Sequence, residues 1–175
     1  MILPYQGKHP YVPKSCFIAD NTVIIGDVEL GESTSVWFGT VIRGDVHFIR
    51  IGSRTNIQDN STVHVTSAVA PTVVGSEVTV GHNAVIHGCT IDDHCLIGMG
   101  AIIMDNAVIG SGSVIGAGAL ISPGTIIPPR SLCVGLPAKI VRNVSDDEFE
   151  SILHSAKHYV DASRNYLDSS NNHKR

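Results

Sequence analysis

The sequence has no basic stripe, no long apolar run and no paired cysteines, and each absence removes a class of function. Its Lys and Arg are scattered and the net charge is −4. Neither nucleic acid nor an anionic membrane is therefore an expected partner, because a binder of either presents clustered positive charge. Met1 to Gln6 lacks a basic start leading into an apolar core, and no segment is long enough to span a bilayer. No signal peptide and no membrane span are expected, and the cytoplasm is the expected compartment. Cys16, Cys89, Cys95 and Cys133 make no CxxC pair and no zinc-finger spacing. Free buried thiols are expected rather than a disulfide framework or a metal knuckle, with Cys89 as a nucleophile the alternative. A chain of 175 residues allows one domain with a sizeable core.

What is present is a repeat. Ile91, Ile97, Ile103, Ile109, Ile115, Ile121 and Ile127 recur every six residues, an interval that belongs neither to a helix nor to a half-buried strand. Such a period marks a solenoid, whose units bury their apolar faces only by stacking on one another. Short β-favouring runs such as Ala107-Val108-Ile109 serve as rungs. Gly98, Gly110 and Gly116, each directly after an inward isoleucine, mark corners where a positive φ is expected; Asp105-Asn106 occupies the equivalent corner elsewhere. Three sides close a triangle, so a coil takes three hexads and Ile91, Ile109 and Ile127 form one interior ladder. The competing reading is a β-sandwich with a chance run of isoleucine.

The repeat extends backwards with interruptions. Ile24-Ile25-Gly26, Leu30-Gly31, Val36 and Ile42 continue it, the block Arg43 to Ile51 is too long for one hexad, and Ile51, Ile57 and Val63 resume it. The frame slips again between His64 and Val74, Val74, Val80 and Ile86 restore it, and the unit His87 to Ile91 is one residue short. Each irregularity lies beside a polar side chain that the repeat does not require.

His64 and His82 are eighteen residues apart, one turn of the proposed coil, and His87 follows five later. That spacing predicts the first two on equivalent faces of neighbouring coils. Three converging imidazoles with a fourth position open form the ligand set of a catalytic zinc site. With nine histidines in the chain, three surface or core histidines could also share a neighbourhood by chance, and spacing leaves both readings open. The other six show no comparable arrangement.

The run Arg43-Gly44-Asp45, then Asn56-Ile57-Gln58-Asp59-Asn60, Val63-His64, Gly81-His82-Asn83-Ala84-Val85-Ile86-His87-Gly88-Cys89 and Gly135-Leu136-Pro137-Ala138-Lys139 closely resembles the γ-class carbonic anhydrase family. The match covers nearly the whole chain. It implies an all-β solenoid, a left-handed parallel β-helix with a C-terminal α-helix; the hand comes from the resemblance, since the general preference of parallel crossovers is right-handed. It implies a homotrimer with the metal between subunits, His64 and His87 from one chain and His82 from its neighbour. Arg43 and Asp45 resemble the pair that joins subunits near the metal, although they could be ordinary loop charges. Gln58 matches the glutamine that hydrogen-bonds the metal-bound hydroxide, and Asn56 a polar neighbour of it; either could instead be a corner residue. Tyr159 resembles a tyrosine that faces the metal in some members, though the helix could simply bury it.

There are departures. The founding members carry a glutamate after the interfacial Asp and another in an acidic loop after the first histidine, where this chain has Val46 and the short Val65 to Pro71 segment. Without a proton shuttle, slower CO2 hydration or none is expected unless another group serves.

Towards the end of the chain, Ser145-Asp146-Asp147-Glu148 has the form of a capping box. Phe149, Ile152, Leu153, Ala156, Val160, Ser163 and Leu167 recur at helical spacing. The expected organisation is a β-helix over 1–142, a helix over 143–168 packed on it, and a disordered polar tail over 169–175. The expected function is reversible hydration of CO2 to bicarbonate with Zn2+, or alternatively Fe2+ or Co2+, held by His64, His82 and His87. The alternatives are an acyl-CoA thioesterase or acyltransferase of the hexapeptide-repeat superfamily, and a non-catalytic metal-binding trimer.

Overall fold

A computed structural model describes residues 1–172. Strands mostly two or three residues long stack in parallel into a left-handed β-helix, followed by one C-terminal helix. Three interior ladders line the column. One runs Ile24, Ile42, Val63, Ile86, Ile103, Ile121. The second runs Ile18, Val36, Ile57, Val80, Ile97, Ile115, Cys133. The third runs Leu30, Ile51, Val74, Ile91, Ile109, Ile127, so the ladder expected from the period is present. All seven periodic isoleucines are at most 3% exposed, each contributing roughly 1.5–3 kcal/mol of transfer free energy. The four cysteines are free and buried in or beside the same core.

The corners differ from expectation in one respect. Gly98, Gly110 and Gly116 do not take positive φ; it falls two residues later, at Gly100 (φ 68°), Gly112 and Gly118, with Asn106 (φ 59°) in the same role. Gly98 is needed for another reason: a Cβ there would lie 2.4 Å from the amide nitrogen of Ala117 in the next coil. The glycine after the inward residue permits close stacking, and the turn itself comes at the following positions.

The irregular hexads all fall on one edge of the prism. From the first ladder to the third, a regular coil takes six residues, as from Ile103 to Ile109. The same step takes nine from Ile42 to Ile51, eleven from Val63 to Val74 and five from Ile86 to Ile91. The other two edges keep the six-residue step throughout these coils.

After the last coil an antiparallel hairpin, Ser131–Gly135 with Ala138–Asn143, leads to the helix Asp146–Asn172. The capping box forms: the Glu148 amide donates to Ser145 Oγ (3.2 Å) and the Ser145 amide to Glu148 Oε2 (2.9 Å). Ile152, Ala156, Val160 and Ser163 are buried where the helix crosses the strands around Val36, Ile57 and Val80. Phe17 and Trp37 receive Tyr159 and Tyr166 from the helix, the Trp37 ring lying 5.4 Å from Tyr159 and 5.2 Å from Tyr166. Of the tail expected from 169, residues 169–172 belong to this helix and 173–175 lie outside the described residues.

Candidate metal centre

His64 and His87 end the strands Thr62–His64 and Val85–His87, which pair in parallel with His64 directly opposite His87. Val63 and Ile86 point inward and are fully buried, so strand alternation turns both imidazoles outward on the irregular edge. The pairing corrects the spacing argument: His64 stacks with His87, twenty-three residues on, and not with His82. The five extra residues between Val63 and Val74 carry the frame past the eighteen-residue turn.

The two rings are held from outside. His64 Nε2 lies 3.0 Å from Asp45 Oδ1, and Asp45 also pairs with Arg43. His87 Nδ1 lies 2.6 Å from Asp105 Oδ1, while Thr66 Oγ1 donates to Asp105 Oδ2 at 2.6 Å. Burial works against the charged form of Asp45, but hydrogen bonds from His64 and Arg43 outweigh it and lower its pKa. The same balance, with Thr66 and His87 as donors, lowers that of Asp105. With a carboxylate on the far nitrogen of each ring, His64 Nδ1 and His87 Nε2 face one another at 3.1 Å. Two lone pairs so placed repel unless a proton or a cation sits between them. Two nitrogens about 2.0–2.1 Å from a tetrahedral zinc stand about 3.3 Å apart, so this pair fits two ligands of one metal.

His82 stands on a different edge, between the second and first ladders. Its Nδ1 lies 2.7 Å from Asp59 Oδ2, so each of the three histidines has a carboxylate of its own, as metal-binding imidazoles commonly do. Gln58, 5% exposed, donates from Nε2 to Asn56 Oδ1 (3.1 Å), and Asn56 Nδ2 donates to Thr79 Oγ1 (2.9 Å). Asn56 is therefore a fully buried brace for Gln58. Gln58, His82 and Tyr159 line one groove between the column and the helix, floored by Leu96, Met99 and Val114. Burial and the charge of Asp59 raise the Tyr159 pKa, which keeps the phenol a hydrogen-bond donor.

One chain thus brings together Arg43, Asp45, His64 and His87 on one edge, and Asn56, Gln58, His82 and Tyr159 on another. Among the described residues no three His, Cys, Asp or Glu side chains are grouped so as to hold a metal. Asp59, Thr66 and Asp105 escaped the reading of the sequence. For Asp105 a signal existed: it lies eighteen residues after His87, one regular coil further on. Cys89 is not a credible nucleophile, because burial pushes its thiol up to about 12.

Residues 94–129 match the bacterial transferase hexapeptide family of six repeats. The chain is 48% identical over 166 residues to a carbonic anhydrase of Geobacillus kaustophilus, covering 95% of this chain and 91% of that one. The chain belongs to the γ-class carbonic anhydrase family. Gamma carbonic anhydrase 2, mitochondrial, of Arabidopsis thaliana is 44% identical over 158 residues, 87% of this chain; the chain spans only 57% of that relative's length. A solved hexapeptide transferase family protein from Anaplasma phagocytophilum superimposes with a TM-score of 0.91 at 44% identity, covering 94% of this chain and 97% of that one. This γ-class chain thus keeps company with proteins named for both activities. No helix among its described residues is long and apolar enough to cross a membrane.

Proposed function

We propose that the protein is a carbonic anhydrase, interconverting CO2 and bicarbonate at a divalent metal shared by adjoining copies in a homotrimer. His64 and His87 of one copy and His82 of the next would hold the cation. Zinc suits this donor set, and iron(II) or cobalt(II) is compatible with it. A metal bound there supplies Lewis acidity that makes water a nucleophile near neutral pH. Gln58, braced by Asn56, is poised to hold the nucleophile or product by hydrogen bonding, and Tyr159 offers a second donor. Arg43 and Asp45 would orient His64 and meet the neighbouring copy. A cytoplasmic location belongs to the same proposal.

The observation that carries this reading is the division of the site residues between two edges: a histidine pair short of one ligand, and a lone histidine beside the glutamine and tyrosine. Stopped-flow CO2 hydration on metal-loaded protein tests it. His82→Ala should abolish the activity. Co-expressing His64→Ala with His82→Ala should restore it in part, since random assortment leaves about a quarter of the interfaces with every ligand. Activity untouched by His82→Ala would overturn the reading. The apolar floor of Leu96, Met99 and Val114 beside the same groove favours a second reading, hydrolysis of an acyl thioester by the same site. Thioesterase assays run alongside separate the two.

A further inference from the structure

We infer that Asp105 is a positioning residue for His87, turning its ring so that Nε2 faces His64, and that Thr66 locks Asp105 in that role. The inference rests on the metal reading for its purpose but not for its geometry. Both carboxylate oxygens are engaged: Oδ1 with His87 Nδ1 at 2.6 Å, and Oδ2 with the Thr66 hydroxyl at 2.6 Å. Asp45 is backed by the Arg43 guanidinium, whereas Asp105 is backed by the uncharged Thr66 hydroxyl.

The backbone is shaped for this contact. Gly88, directly after His87, has φ +57°, and a Cβ there would lie 2.5 Å from Asp105 Oδ1. Only glycine lets the carboxylate reach the ring. The Asn106 amide donates to the Gly88 carbonyl at 2.7 Å, tying the two coils together beside the contact. Thr66 begins the excursion that follows His64. That loop closes on itself, with the Thr66 amide donating to the Ala70 carbonyl (3.0 Å) and the Ala70 amide to the Thr66 carbonyl (3.2 Å). Thr66, Asp105, His87, His64, Asp45 and Arg43 therefore form one continuous line of polar contacts. The excursion occupies the place of the family's acidic loop, and here its threonine serves a ligand through Asp105.

The test combines two readouts on the full chain: imidazole tautomers by nitrogen-15 NMR of the metal-free protein, and cobalt(II) affinity by competition with a chelator. His87 should carry its proton on Nδ1. Asp105→Ala should mix the tautomers and weaken cobalt binding roughly 10- to 100-fold, the usual cost of losing such an outer partner. Thr66→Val should keep the tautomer and weaken cobalt binding by only a few-fold. A merely structural Asp105 would alter stability while leaving tautomer and relative affinity unmoved, and that result would overturn the inference. If Asp105→Ala does not fold, Asp105→Leu serves instead: it fills the same space but accepts no hydrogen bond, so mixed tautomers with weaker cobalt binding support the role, and an unmoved tautomer refutes it. If the unaltered protein binds no cobalt yet shows the Nδ1–H tautomer that Asp105→Ala erases, the metal reading fails while the positioning role stands.

Discussion

The coils from Ile91 to Cys133 and those from Ile42 to Ile91 share the same interior and differ at one edge. In the first stretch the chain repeats every eighteen residues, and its corners serve stacking. In the second, one edge is lengthened twice and shortened once, and that edge carries Arg43, Asp45, His64 and His87. The interior ladders pass through both stretches without a break. A solenoid can thus vary the length of one edge to carry polar side chains without disturbing its interior, because each coil is held by its neighbours above and below rather than by its own corners.

If scaffold and site are separable in this way, substitutions should affect one and spare the other. The largest effect belongs to the site: His64→Ala should abolish metal uptake, measured by elemental content after loading, with the denaturant midpoint nearly unchanged. Loss of fold in that variant would merge the two roles. The converse is Ile109→Ala. Ile109 is fully buried in the regular stretch, so truncation should cost about 2–5 kcal/mol in equilibrium unfolding while chelator competition still reports the original metal affinity. A smaller effect distinguishes the two kinds of corner glycine. Gly100→Ala meets nothing within 4 Å but keeps φ +68°, and should cost about 1–2 kcal/mol. Gly98→Ala must push the backbone of Ala117 away and should cost more. Equal costs would mean that the coils are looser than their geometry.

How far the sequence carries can be seen in the same residues. The isoleucine ladder is legible because six divides the eighteen-residue coil and every rung is apolar. The capping box of Ser145 and Glu148 is legible because its two bonds span three residues of one chain segment. The partner of His64 is not, since it depends on how many residues the excursion after it consumes, and that count moves the register from eighteen to twenty-three. Resemblance supplied His64, His82 and His87 as a set and implied that His82 comes from a neighbouring chain. The structure shows how one chain does this, with His64 and His87 side by side and His82 on another edge. Asp105 stayed hidden for a different reason: a corner beside Asn106 already explains an aspartate there, so nothing local asked for a second role.

The mildest test lies where the helix joins the column. Glu148 accepts hydrogen bonds from Arg142 at 2.7 and 2.8 Å and from the Ser145 amide at 2.9 Å. These contacts, that of Arg142 foremost, bring its pKa down to about 2. Because the folded value lies below the unfolded one of about 4.3, the contribution is complete above that pH and is lost as pH falls toward the folded value. The pair is exposed, so salt should weaken it. Between pH 5 and 2, the protection of the Glu148 and Phe149 amides, taken relative to the intrinsic exchange rate at each pH, should fall while that of the Ile109 amide is kept. Glu148→Gln should abolish much of that pH dependence, since glutamine can still close the capping box. If Ile109 loses protection in step with Phe149, the helix and the column open as one unit, and the independence of the regular coils from what is attached to them fails with it.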